Sequence, residues 1–141
     1  MCMRYVYGIY KGITPGMVTR FKGFMRTEEG KLYPLFKYNL DRDPLPLGQW
    51  LDEKDYRPAG YRDKIRSYSG ITYPTGWHVY VDEDRANIVA SIVTEHSDFL
   101  GFDRGVVLKV YCKGLLADGE DTYGAMNEVY RYIKIEKEEV I

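Results

Sequence analysis

Apolar and polar residues alternate with a period of two along most of this chain, the pattern of strands that bury one face. In one stretch only do they recur with the period of a helix. The first alternating run, "RYVYGIYK" from Arg4 to Lys11, is aromatic and β-branched, and Gly8 in its middle suits a bulge or a close backbone approach. After the break "GITPG", the run "MVTRFKGFMR" sets Val18, Arg20, Lys22 and Phe24 on one face and Met17, Thr19, Phe21 and Gly23 on the other. The turn "TEEG" leads into "KLYPLFKY", where Pro34 confines the strand to an edge or splits it.

The second half is patterned more clearly. "GWHVYV" puts Trp77, Val79 and Val81 on one face and His78 and Tyr80 on the other. Asp82 is a natural N-cap, and Glu83 and Asp84 favour the positive end of a helix dipole. The helix expected over about 82–96 carries Ala86, Val89, Ala90 and Val93 at helical spacing, with Ile88 and Ile92 widening the stripe. "VVLKVYCKG" is a strong strand with Val106, Leu108, Val110 and Cys112 on one face, and "LLADGEDTYGAM" reads as irregular. The closing "NEVYRYIKIEKEEV" reads as a strand whose odd face, Val129, Ile133 and Ile135, is apolar apart from Arg131.

Between the halves, residues 39–48 read as a loop, because Pro44 and Pro46 remove donors and hold extended dihedrals. "QWLDEKDYR" suits one short helical turn, and "YRDKIRSYS" is the only helical piece expected between Pro58 and Pro74. No repeat, low-complexity tract or linker interrupts the chain. The expectation is an α+β protein with one compact domain over residues 1–141, a twisted antiparallel or mixed sheet, one main helix and long aromatic loops.

Composition agrees with a globule: 141 residues, 45% hydrophobic and 29% charged. Fourteen tyrosines add rigid, amphipathic area of the kind that protein-binding surfaces use. The net charge of -1 hides an asymmetry. Residues 1–68 hold 13 basic against 8 acidic side chains, and residues 69–141 hold 7 against 13. Either the fold interleaves the halves, or the molecule is bipolar and could steer a charged partner or form a head-to-tail homo-oligomer. Cys2 and Cys112 imply no disulfide framework. No apolar run suits a secretion signal or approaches the ~18 residues of a membrane span, so a cytoplasmic setting and no membrane partner are expected.

Chemical motifs are sparse. His78 and His96 with two distant cysteines do not make a metal cluster, and the phosphate-loop, zincin and hydrolase-elbow motifs are absent. No cofactor is expected. Lys22, Arg26, Arg57, Arg62, Lys64 and Arg66 among aromatic residues could hold a single-stranded nucleic acid, and the pI of about 6.1 argues against that partner. Trp77 reads as core. His78 and Tyr80, with Trp50, Tyr61, Arg62, Arg66, Tyr68 and Tyr73 from the loops, have the residue types of a binding hot spot.

The order "FKGF", "GWH", a helix containing Ala86, "GVVLKVYCKG" and "EVYRYIKI" resembles small phage-encoded proteins of unknown function that carry Lys-Gly-Phe and Gly-Phe-His motifs. The residues that carry the likeness are Lys22, Gly23, Phe24, Gly76, His78 and Gly114, with Trp77 where those proteins have Phe. The resemblance implies a binding protein that engages a host protein in the host-cell cytoplasm, as an inhibitor of a defence system of the anti-CRISPR kind. The layout is more distantly similar to the ADP-ribosyltransferase fold. That likeness implies a nucleotide site at Phe21, Lys22 and Glu128, with an aromatic ring against nicotinamide and the carboxylate steadying an oxocarbenium ion. Lys22 stands where those enzymes have Arg or His, and no Ser-Thr-Ser stretch precedes the helix.

Overall fold

One strand organises the architecture. The computed structural model describes residues 3–12, 16–34, 43–56, 62–95 and 104–136. In chain order these form β1 (Tyr5–Ile9), β2 (Val18–Arg26), β3 (Leu32–Pro34), β4 (Trp50–Asp52), a 3-10 turn (Glu53–Tyr56), β5 (Lys64–Arg66), β6 (Thr72–Pro74), β7 (Trp77–Tyr80), α1 (Glu83–Glu95), β8 (Arg104–Glu120) and β9 (Met126–Ile135). One edge of the 17-residue β8 takes β2 through Arg104–Cys112 and then β1 through Ala117–Glu120. Its other edge takes β9 from Val110 to Glu120. The far edge of β9 takes β7 and then β4, and β2 reaches β7 through the single bridge Phe21–Tyr80. Strands β8, β2, β7 and β9 therefore close into a small antiparallel barrel, with β1, β3 and β4 as flaps on a seven-stranded sheet.

The inward faces follow the sequence alternation. Val18 and Phe24 of β2, Trp77 and Val79 of β7, and Val110 and Cys112 of β8 meet Tyr130, Ile133 and Ile135 of β9 in the main core. Trp77 is 1% exposed and its indole N–H donates to the Leu51 carbonyl at 3.0 Å, so β4 is tied in through both its side chain and its backbone. On the outside, Ala86, Val89 and Ala90 are the buried face of α1. Ala86 and Val89 cluster with Tyr80 and Ala125, and Phe21 and Val107 pack against that cluster. Asp82 caps α1 by accepting the Asp84 amide at 2.9 Å. A separate cluster of Met3, Tyr73, Ala117 and Val129 seats the two-stranded β5–β6 hairpin, with Ile65 packed against it.

The result is a compact, sheet-dominated domain with one helix among the described residues, rather than a balanced α+β arrangement. Several expectations are corrected. The stretch from Leu115 to Glu120 continues β8, and Asp121 to Ala125 form a tight turn in which Asp121 Oδ1 accepts the Tyr123 and Ala125 amides at 2.9 Å each. "QWLDEKDYR" is half strand and half 3-10 turn, and Lys64–Arg66 is a strand, because Ile65 alone points to the core and no helical stripe exists there. The expected odd apolar face of β9 divides: Ile133 and Ile135 join Tyr130 in the main core, whereas Val129 lies on the opposite side. At Gly114, with a φ of 76°, β8 exchanges its faces and β9 does the same beside it, so that Leu115 and Tyr130 join the main core; the register slip between Leu115 and Ala117 then exchanges the faces of β8 back.

Close backbone approach constrains the β1 edge. A Cβ at Gly119 would collide with the Tyr5 carbonyl oxygen and meet Met3 Sδ at 2.8 Å. Gly119→Ala is therefore expected to lower stability by roughly 1–3 kcal/mol, as overpacking does. Thermal unfolding monitored by circular dichroism checks this, and an unchanged melting temperature would remove the packing argument for β1.

Candidate functional site

The outward faces of β4, β9 and β8 carry alternating rings and lysines. Antiparallel pairing sets Trp50 opposite Lys134 and Lys134 opposite Tyr111; in the next row Tyr132 faces Lys113. The ammonium of Lys113 lies 4.2 Å from the Trp50 ring centroid and 5.4 Å from that of Tyr132. Lys134 lies 5.1 Å from Trp50 and 5.5 Å from Tyr111, and Lys109 continues the row at 5.9 Å from Tyr111. The sequence Tyr132, Lys113, Trp50, Lys134, Tyr111, Lys109 is thus one continuous ladder of cation–π contacts, each worth about 0.5–1 kcal/mol at such exposure. The neighbouring carboxylates are engaged: Glu136 accepts the Tyr111 hydroxyl, and Asp52 pairs with Arg131 at 3.6 Å. The ladder holds ammonium groups in fixed positions on a rigid sheet, which suits it to a partner carrying negative charge.

A second polar group lies inside the barrel. Arg20 and Lys22 share the inner face of β2; Arg20 pairs with Glu128, and Glu128 also accepts the Tyr130 hydroxyl at 3.0 Å. Lys22 is buried, donates to the His78 carbonyl at 2.7 Å and stands 5.8 Å from the Trp77 ring. Burial works against the Arg20 charge, but the hydrogen bond and charge of Glu128 outweigh it and hold the guanidinium pKa above its ordinary value. Burial pushes the Cys112 thiol up to about 12 even though Lys22 and Arg20 pull the other way, so at neutral pH it is a protonated core side chain and not a nucleophile. Tyr130 and Tyr80 are raised as well, by burial first and then by Glu128 and Asp121 respectively.

The residues expected from the sequence do not gather at one place. Trp50 stands in the ladder. Arg62, Arg66 and Tyr68, all exposed, belong to the β5–β6 hairpin, and Tyr68 is 74% exposed at its turn. Tyr73 and Tyr80 are buried and belong to the core: the Tyr73 hydroxyl accepts the Met3 amide at 3.1 Å and meets His78 Nε2 at 3.0 Å, while Tyr80 packs under α1. His78 is half-buried against Tyr73. Tyr61 lies outside the described residues. Of the nucleotide-site residues, Lys22 and Glu128 share the inner face, but Phe21 points the other way, toward α1, so no nicotinamide sandwich forms from the three. Tyr111, Lys113, Tyr132 and Lys134 escaped sequence reasoning, although the matching "KVYCK" and "YRYIK" were there to be paired.

The Cys112 shift sets a pH dependence. The unfolded thiol loses its proton near the ordinary value of 9.0 and the folded one near 12, so between these values the unfolded state binds fewer protons. Stability from this group is complete below pH 9 and falls, by about 1.4 kcal/mol per pH unit, as pH rises toward 12. Melting temperatures from pH 8 to 11 are expected to decline, and less steeply in Cys112→Ala. Identical slopes in the two proteins would show that the thiol is not buried in this way. No family model, no curated protein and no solved structure matches the chain.

Proposed function

We propose that the protein acts by binding rather than by catalysis, as a phage or mobile-element protein that occupies a site on a component of the host cell, and that the ladder is its contact surface. The observation that carries this reading is the unbroken alternation of Tyr132, Lys113, Trp50, Lys134, Tyr111 and Lys109 on one sheet face. Rigid rings at low entropic cost, with charges fixed beside them, have the composition of a recognition hot spot. The titrating groups support the same reading. Among the described residues, each resolved shift moves its tyrosine, cysteine or arginine further from neutrality, whereas a general base or an activated nucleophile needs the opposite.

The reading is tested by a loss of binding without a loss of fold. Immobilised protein is expected to retain a macromolecule from a bacterial lysate that the double variant Trp50→Ala, Tyr132→Ala does not retain. The double variant should melt lower by roughly 5–10 degrees, for the three ladder contacts it loses, and yet be fully folded at the assay temperature with an unchanged circular-dichroism spectrum. Equal retention by both proteins would exclude this face. The nucleotide-site alternative makes the contrary prediction of a saturable rise in melting temperature with NAD or ADP-ribose. On the present reading millimolar concentrations of either leave it unchanged.

A further inference from the structure

Resting on the binding reading above, the chemistry of the ladder narrows the partner: we infer that the outer face of β4, β9 and β8 binds single-stranded nucleic acid. Its bases stack on Trp50, Tyr111 and Tyr132, and its phosphates meet Lys109, Lys113 and Lys134. Three features of the face carry this. The rings and cations alternate one for one, as the bases and phosphates of a single strand do, and each ammonium can pass from a ring face to a phosphate when a base takes its place. Strands lie about 4.8 Å apart and same-face neighbours about 7 Å apart along a strand, so the three rings form a platform for two or three bases. Among the described residues the face also keeps a positive excess: Arg131 balances Asp52, three lysines stand against Glu136, which holds its charge while accepting the Tyr111 hydroxyl, and Asp118 and Glu120 of β8 alternate to the opposite face from Lys109, Tyr111 and Lys113.

The same features fix what the site does not read. A duplex covers its base faces, so it offers the rings nothing to stack on. The ladder's side chains are rings and ammonium groups, with no amide or carboxamide among them to discriminate base edges or a 2′-hydroxyl. Binding is therefore indifferent to sequence and to sugar. An acidic protein surface would use the lysines alone and leave the rings as their supports.

Fluorescence anisotropy with labelled twelve-residue oligo(dT), oligo(U) and a DNA duplex separates these cases. Oligo(dT) and oligo(U) are expected to bind within about threefold of each other and the duplex far more weakly. Affinity for the single strands should fall between 50 and 200 mM salt with a log–log slope of about −2, the value for three phosphate contacts on a single strand. Trp50→Ala should weaken binding roughly tenfold or more with the slope kept, and Trp50→Phe should restore most of it; Lys113→Gln should reduce the slope by about 0.7. Duplex binding as tight as single-strand binding, unchanged affinity in Trp50→Ala, or no saturable binding at 50 mM salt would each overturn the inference. If oligonucleotides fail while the ladder variants still lose their lysate partner, nucleic acid is excluded and the binding reading stands. If the lysate partner is also retained by the variants, both fall.

Discussion

Strand β8 has neighbours on both edges over most of its length, and it exchanges its faces twice in quick succession, at Gly114 and at the slip between Leu115 and Ala117. Its first half runs along β2 and its second along β1, while β9 follows it throughout from Val110. Because side chains alternate across a strand, a single irregularity exchanges every inward and outward position beyond it. Cys112 and Leu115 therefore both pack in the main core, and after the second exchange Ala117 belongs to the cluster under the β5–β6 hairpin. Lys109, Tyr111 and Lys113 precede the turn and face out together. Without the slip, Ala117 would follow Leu115 into the main core, and the cluster that seats the β5–β6 hairpin would lose it.

Closure of so small a barrel leaves an interior that is not purely aliphatic. Arg20 and Lys22 point inward between Val18 and Phe24, at a cost in desolvation that only close partners offset. Glu128 supplies the opposite charge for Arg20, and the His78 carbonyl together with the Trp77 and Phe24 rings surrounds the Lys22 ammonium. These contacts join β2 to β7 and β9 where the backbone pairing between β2 and β7 is only the Phe21–Tyr80 bridge. The polar interior thus reinforces the weakest seam of the ring, which is a structural task sufficient to explain why these charges are buried.

Much of this was legible in the sequence, because one-sided burial writes itself as alternation. The faces of β2 and β7, the irregularity at Gly8, the Asp82 cap and the core place of Trp77 all follow from local pattern. What failed required knowledge of pairing. Tyr73 and Tyr80 look like surface tyrosines until the hairpin and α1 are laid over them, and the division of β9 between two clusters depends on the turn at Gly114 in its neighbour. The ladder is the clearest instance. Its six residues come from β4, β8 and β9, separated by up to 84 positions from Trp50 to Lys134, and only register brings them to one face.

The same dependence on register explains why net charge is a poor guide here. A pI near 6.1 and a net charge of -1 argue against a polyanionic partner if charge is averaged over the surface. Screening limits the reach of an exposed charge to about 8–10 Å, so a partner on one sheet face feels the charges of that face. On the ladder, among the described residues, three lysines stand against Glu136 once Asp52 is paired with Arg131, while much of the acidic excess sits elsewhere, at the start of α1 and beyond the bulge of β8. Along β8 the basic Lys109 and Lys113 and the acidic Asp118 and Glu120 have opposite parity, and because the exchanges at Gly114 and at the slip cancel, alternation keeps the acidic end off the basic face.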